Sequence, residues 1–182
     1  YLNIRVELMI VLKASLVGDG GVGKTTLIKA FKEGGKILGE VQVTVGFNIF
    51  ATKVNEKTTL QVWDMSGQDI FTPLIPKLLQ GSLIIIFVFD LNRPSTLVNI
   101  HRWLDMAKQY VKRAFVFLVG NKKDLPKTVD DELISQVIEE LKKPPFIFLG
   151  YFETSALTGE GVIELFNHVF SLAKTIASRI KK

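Results

Sequence analysis

The fold of this chain is decided by one stretch near its N-terminus, Gly18-Asp19-Gly20-Gly21-Val22-Gly23-Lys24-Thr25. The stretch fits the pattern G-x-x-x-x-G-K-[ST] at every fixed position. The apolar run 9–17 before it predicts a buried strand, and the run 25–31 after it is typical of a helix. A strand, a glycine-rich loop and a helix in this order are the context in which the pattern binds phosphate.

The residue types of the loop explain that chemistry. Glycines let the backbone turn sharply and approach an anion, because no Cβ stands in the way. The N–H groups of the loop and of the first helical turn then face phosphate oxygens, and they are those of Gly20, Gly21, Val22, Gly23, Lys24, Thr25 and Thr26. Lys24 adds a positive charge, and the Thr25 hydroxyl is a candidate Mg²⁺ ligand. A plain glycine turn is the alternative interpretation.

Composition excludes several classes of protein. The chain has 182 residues, 47% of them hydrophobic and 23% charged, with a net charge of +5, which fits one globular domain. No basic stripe is interleaved with aromatic residues, so no nucleic-acid partner is expected. There is no cysteine, which excludes disulfides and cysteine lipidation of this chain, and no apolar run reaches roughly 18 residues. We therefore expect a cytoplasmic protein with no stable membrane anchor in this chain.

The order of elements predicts an α/β fold. Residues 1–11 are predicted to be an N-terminal extension, and the alternation of apolar and polar residues over 2–8 favours an added strand there. Over the domain 12–182, strands alternate with helices after one hairpin that turns at residues 55–57. This pattern predicts a mostly parallel, six-stranded sheet with one antiparallel strand and helices on both faces. The stretch between the first helix and Val43 is predicted to be irregular.

Three polar clusters follow predicted strands, namely residues 64–69, 121–124 and 154–157. In a parallel α/β sheet, ligands bind at the carboxyl ends of the strands. Asp64, Asn121 and Ser155 are therefore expected to converge on the phosphate loop, although they are far apart in sequence.

The cluster Asn121-Lys122-Lys123-Asp124 indicates which base is bound. A carboxylate at Asp124 can accept two hydrogen bonds, from the N1–H and the 2-amino group of guanine. Adenine offers neither arrangement and would leave the carboxylate unpaired, so the cluster favours GTP over ATP. The alternative interpretation is a charged surface loop.

Together these motifs resemble the Ras superfamily of small GTPases, and its Ras and Rab branches in particular. The resemblance covers residue 12 to the final helix and depends on the five motifs 18–25, Thr44, 64–68, 121–124 and 155–156 in this order. It implies a P-loop NTPase G domain that binds GTP and GDP with Mg²⁺. The expected partners are GTPase-activating factors, exchange factors and effector proteins.

The resemblance also implies roles for individual residues. Asp64 would hold Mg²⁺ through water, and Thr44 would contact Mg²⁺ and the γ-phosphate together with the Gly67 N–H. Gln68 would orient the attacking water. The stem of Lys122 would cover the base, and the guanine oxygen would accept hydrogen bonds from backbone N–H groups of Ser155, Ala156 and Leu157.

The expected activity is slow GTP hydrolysis coupled to a molecular switch. No arginine occurs between Thr26 and Thr44, so this segment cannot supply a positive charge to the transition state. Two alternatives remain. One is a scaffold that holds guanine nucleotide without turnover, although it would need neither Thr44 nor Gln68. The other is an ATP-using kinase, which the cluster at 121–124 disfavours.

Overall fold

A seven-stranded sheet forms the centre of the chain in a computed structural model that describes residues 9–34, 39–43, 47–65 and 75–180, with 39–43 described by their backbone alone. The strand order is β2-β3-β4-β1-β5-β6-β7. The strands are β1 (Ile10–Val17), β2 (Gly39–Val43), β3 (Phe47–Asn55), β4 (Thr58–Met65), β5 (Ile84–Asp90), β6 (Ala114–Asn121) and β7 (Phe146–Glu153). Strand β3 is antiparallel to both of its neighbours, and every other pair is parallel. The predicted fold class is confirmed.

The predicted number of strands was one too low. The segment Gly39–Val43, predicted to be irregular, pairs with β3 in antiparallel register from Gly39↔Ala51 to Val43↔Phe47. Without it, the outer edge of β3 would present unpaired N–H and C=O groups. A five-residue strand satisfies these groups, and a strand this short gives only a weak signal in the sequence.

In the part of the chain that the structure describes, six helices pack on the two faces of the sheet. They are α1 (Lys24–Glu33), α2 (Ile75–Leu79), α3 (Pro94–Val98), α4 (Ile100–Tyr110), α5 (Asp131–Leu141) and α6 (Val162–Ile180). The helix predicted to run from residue 94 to about 110 is divided in two at Asn99. This division places the beginning of α4 beside the phosphate loop.

Two hydrophobic cores fill the space between the layers. One lies under α1 and α6, and the other lies under the helices α2 to α5. All seven residues of β5 are buried, as expected for a central parallel strand that is covered on both faces. Helices on both faces are therefore confirmed.

The N-terminal boundary of the domain stays a prediction. Residues 1–8, most of the predicted extension, lie outside the described residues, and Ile10 and Val11 are part of β1. Within the part of the chain that the structure describes, none of the helices has the length and apolar character needed to cross a bilayer.

Phe31 connects α1 to α6 and is fully buried. Its ring stacks on Phe166 with 4.5 Å between centroids and on Phe170 with 5.5 Å. We expect Phe31→Ala to lower the free energy of unfolding by about 4 kcal/mol, because it removes these contacts and leaves a cavity. Urea unfolding measures this change. The control is Ile163→Ala on α6, a residue 47% exposed, which should cost less than about 1 kcal/mol. Equal losses in the two variants would contradict this role of Phe31.

Candidate nucleotide-binding site

The candidate site lies at one edge of the sheet, where the parallel strands end. The register pairs Leu16 of β1 with Asp64 of β4, and Asp90 of β5 with Asn121 of β6. The loops that leave these strands therefore begin next to one another. Asp64 and the cluster that begins at Asn121 are thereby brought next to the phosphate loop, as expected for an open α/β sheet.

The phosphate loop fits this edge only because of its glycines. Gly18 has φ +147°, and a Cβ on it would lie 2.1 Å from the Val88 carbonyl oxygen. Gly23 has φ +97°, and a Cβ there would lie 2.3 Å from Asn121 Nδ2. Both positions are in the left-handed region that side chains disfavour. The loop therefore packs its backbone directly against β5 and against the loop that follows β6.

The beginning of α1 forms a site for an anion. The helix starts after Gly23, and no side chain among the described residues caps it. Its first N–H groups have no partner within the helix, and the helix dipole adds a partial positive charge there. Thr25 and Thr26 lie in this first turn, as predicted.

Lys24 carries its charge within the loop itself. Its side chain is buried, and its Nζ donates to the carbonyl oxygens of Gly18 at 2.7 Å and of Asp19 at 2.8 Å. Burial lowers the pKa of Lys24 to about 8, and the negative charges of Asp64 and Asp19 partly oppose this effect. A bound phosphate would add further negative charge and stabilise the protonated form.

Thr25 and Asp64 meet beside the beginning of α1. The Thr25 hydroxyl donates to Asp64 Oδ2 at 2.5 Å, across 39 positions of sequence. Asp64 is 3% exposed, and burial raises its pKa, while the hydrogen bond from Thr25 and the charge of Lys24 lower it. A hydroxyl and a buried carboxylate are hard oxygen ligands of the kind that Mg²⁺ prefers, so the residues present fit this ion.

Asn121 joins three loops through one amide. Its Nδ2 donates to the Val22 carbonyl oxygen at 2.9 Å, and its Oδ1 accepts from the Thr154 hydroxyl and the Ala156 N–H, each at 3.1 Å. The side chain is 1% exposed. Asn121 therefore holds the phosphate loop against the loop after β7, a structural role that the motif alone does not reveal.

Asp124 and Ser155 form a further contact between the loops that follow β6 and β7. The Ser155 hydroxyl donates to Asp124 Oδ1 at 2.5 Å, which orients the carboxylate. The Ser155 N–H donates to the Glu160 carbonyl oxygen, and Leu157 is 81% exposed. The backbone donors predicted for a guanine oxygen thus lie in this loop, but those of Ser155 and Ala156 have partners within the protein.

Lys122 has a positive φ of 68°, and its Nζ forms an ion pair with Asp90 Oδ2 at 2.6 Å. Asp90 was not among the predicted site residues. Its position as the last residue of β5, paired with Asn121, is the signal that could have indicated it.

Asp19 is a second residue that the sequence did not identify. Its carboxylate accepts from Asn99 Nδ2 at 2.7 Å and from Trp103 Nε1 at 2.9 Å. Trp103 is buried among the core residues, and its indole also connects the phosphate loop to α4. Asn99 lies four residues before Trp103, so both are on the same side of the helical turn.

Thr44, Gly67 and Gln68 lie outside the described residues. Their roles stay predictions.

The fold and this edge define a nucleotide-binding protein of the P-loop class. A sequence profile of the Ras family matches residues 13–175. The Ras-related protein SEC4 of Saccharomyces cerevisiae is 33% identical over 174 residues, which are 93% of this chain and 77% of that protein. The Ras-related protein Rab-26 of Mus musculus is 33% identical over 178 residues, 95% of this chain and 65% of that protein. The Septum-promoting GTP-binding protein 1 of Schizosaccharomyces pombe is 31% identical over 134 residues, 70% of this chain and 67% of that protein.

The chain belongs to the Ras family of small GTPases. It binds guanine nucleotides and hydrolyses GTP, and it has the switch function of that family. The resemblance inferred from the five motifs is confirmed.

The central position of Asn121 leads to a stability prediction. Asn121→Ala should lower the free energy of unfolding by about 3 kcal/mol, because the Val22 carbonyl, the Thr154 hydroxyl and the Ala156 N–H lose a buried partner. Urea unfolding without nucleotide measures this loss. The control is Asn92→Ala, whose exposed amide donates to the Pro126 carbonyl oxygen and should contribute less than about 1 kcal/mol. A loss no greater than that of the control would rule out this role of Asn121.

Proposed function

We propose that this chain is a Mg²⁺-dependent switch that hydrolyses GTP slowly and senses the γ-phosphate through two loops. The observation that carries this proposal is the contact between Thr25 Oγ1 and Asp64 Oδ2 at the beginning of α1. It joins the phosphate loop to the end of β4, where the second predicted sensing loop begins. A phosphate bound at α1 and a cation bound at Asp64 would therefore be neighbours.

The metal site would use oxygen ligands from three segments. The Thr25 hydroxyl and Thr44 would bind Mg²⁺, and Asp64 would hold it through water. Bound Mg²⁺ would neutralise negative charge that develops on the phosphates during hydrolysis. Among the residues that the structure describes, no three His, Asp or Glu side chains gather, so phosphate oxygens would have to complete the coordination of the ion.

The base would be selected by Asp124. Its hydrogen bond from Ser155 uses one lone pair of Oδ1 and fixes the plane of the group, so that both oxygens can still accept from guanine. With adenine in its place, the carboxylate would lose two donors and keep only that of Ser155, which gives discrimination against adenine. The stem of Lys122 would cover the base, and the loop at Ser155, Ala156 and Leu157 would surround its oxygen.

Hydrolysis would depend on Gln68, which would orient the attacking water, and on Gly20, which has no side chain to obstruct the γ-phosphate. Without an arginine from the segment 27–43, the intrinsic rate should be on the order of 10⁻⁴ to 10⁻³ per second. A GTPase-activating partner would then supply the missing positive charge.

The switch would be read by partner proteins beside the two loops. Thr44 and the Gly67 N–H would hold these loops in the GTP state, and loss of the γ-phosphate would release them. Phe47 and Trp63 stack with 5.3 Å between ring centroids, and Lys13 Nζ lies 3.8 Å from the Trp63 ring. Both aromatic residues are half-buried, and Phe47 follows Thr44 by three positions in the sequence, so this stack is a candidate effector surface. Ile49, which pairs with Trp63 in the sheet, is buried, which makes it a weaker candidate for such a surface.

The proposal is tested by phosphate release from GTP, measured with Mg²⁺ and after removal of Mg²⁺ by EDTA. We expect release only with Mg²⁺, at the slow rate given above. Gln68→Leu should keep GTP binding and lower the rate at least tenfold, because leucine cannot orient water, and Gly20→Val should act in the same direction. The control is Gln136→Leu at an exposed position of α5.

Wild-type turnover in Gln68→Leu would contradict the role of Gln68. Binding of GTP without any phosphate release would support a scaffold that does not turn over, and would contradict the switch.

The role of Asp124 leads to a separate prediction. Asp124→Asn should weaken GDP binding at least about a hundredfold, because an amide cannot accept both hydrogen bonds from guanine. The same variant should gain affinity for xanthosine diphosphate, whose 2-oxo group accepts from the new amide. Competition binding with the two nucleotides measures the exchange of preference. The control is Asp105→Asn, at an exposed position of α4. The same ratio of xanthosine diphosphate affinity to GDP affinity in both variants would refute the prediction.

A further inference from the structure

A line of charged contacts connects the two nucleotide-binding loops through Asp90 and Arg93, two residues outside all five motifs. At its centre is Asp90, the last residue of β5, whose side chain is 5% exposed. Asp90 Oδ2 lies 2.6 Å from Lys122 Nζ in the guanine loop and 3.9 Å from Arg93 Nε. Its other oxygen, Oδ1, accepts from the Asn92 N–H at 2.9 Å.

Arg93 extends this line to the phosphate loop. Its Nη2 donates to the Gly20 carbonyl oxygen at 2.8 Å. A Cβ on Gly21 would lie 3.9 Å from the same nitrogen, so the guanidinium lies along the Gly20–Gly21 segment. Gly20 and Gly21 have no side chains that could restrict their backbone. The contact from Arg93 therefore limits the backbone motion of this segment.

The backbone strengthens the link on its other side. Lys122 has a positive φ, and the Leu91 N–H donates to the Asn121 carbonyl oxygen at 2.9 Å. The guanine loop thus leaves β6 in a conformation that directs the Lys122 side chain towards β5. Asp90 is the group that receives it.

The charges explain which residue types this line of contacts requires. A carboxylate as buried as that of Asp90 is unfavourable without positive partners, and it has two. Arg93 uses different nitrogens for Asp90 and for Gly20, as the planar guanidinium allows. A lysine at this position has a single nitrogen and could not place separate nitrogens on the two partners.

We propose that Arg93 and Asp90 are positioning residues that couple the phosphate loop to the guanine loop, so that each end of the nucleotide is held more firmly when the other is bound. The inference rests on the proposed function, because it requires a guanine nucleotide that spans both loops. Neither residue needs to touch the reacting atoms. Arg93 acts through the Gly20 carbonyl, and Asp90 acts through Lys122.

The first test is the rate of GDP release from the full chain, measured with a fluorescent GDP and excess unlabelled GDP. Arg93→Ala should release GDP about tenfold faster than the wild type, because the loop loses a charge-assisted hydrogen bond. Arg93→Lys should recover part of this difference. The control is Arg113→Ala, an exposed arginine at the opposite end of the sheet, where β6 begins.

The second test measures the coupling directly. IDP lacks the 2-amino group that guanine presents, so the ratio of IDP to GDP dissociation constants reports on the guanine loop. Although Arg93 contacts the phosphate loop, Arg93→Ala should reduce this ratio at least about threefold. Asp90→Asn should do the same, and the double variant should show little further change, because both residues act through one line of contacts.

Each outcome has a definite meaning. Unchanged GDP release in Arg93→Ala, or faster release with an unchanged ratio, would overturn the coupling. A loss of GTP cleavage larger than the change in release would also overturn it, because Arg93 would then act on the reacting phosphate. A wild-type protein that does not retain GDP would contradict the guanine-nucleotide function itself. Release and discrimination that change together would support the inference.

Discussion

The hydrogen bond from Asn121 to the Val22 carbonyl is the interaction on which the site depends. It requires a glycine at residue 23, since a Cβ there would displace the amide. It also requires that β6 end next to β5, so that Asn121 emerges beside the phosphate loop. The side-chain amide of Asn121 thereby connects the phosphate loop, the end of β6 and the loop after β7. Removing it would break a direct contact between the phosphate end of the site and the base end.

Burial explains why these polar groups remain in place. Lys24, Asp64, Asp90 and Asn121 are buried, although charged and amide groups are usually at the surface. The last three have hydrogen-bond or ionic partners from other segments of the chain, and Lys24 has its partners within the phosphate loop. A buried polar group that loses its partner is strongly unfavourable, so these contacts specify one arrangement of the loops. The hydrophobic cores on both sides of the sheet hold the strands from which the loops emerge.

The sequence predicted the parts that local patterns encode. The phosphate loop, the guanine cluster and the strand alternation depend on residue types at fixed spacings, and these led to the α/β fold and to the convergence of 18–25, 64 and 121–124. Contacts between distant side chains have no such spacing. The bonds from Asn99 and Trp103 to Asp19, and from Arg93 to Gly20, span more than 70 positions and became visible only in the folded chain. Strand β2 was missed because a short edge strand depends on its partner β3.

The bond between Trp103 and Asp19 has a practical consequence. Indole emission depends on the partner of its N–H, so Trp103 is a built-in optical probe of the phosphate loop. The chain has two tryptophans, and the other, Trp63, stacks on Phe47 at the start of β3. The tryptophan fluorescence of the protein therefore comes from two places, one beside the phosphate loop and one at the start of β3. A chain that keeps only Trp103 would show loop motion in real time without any attached dye.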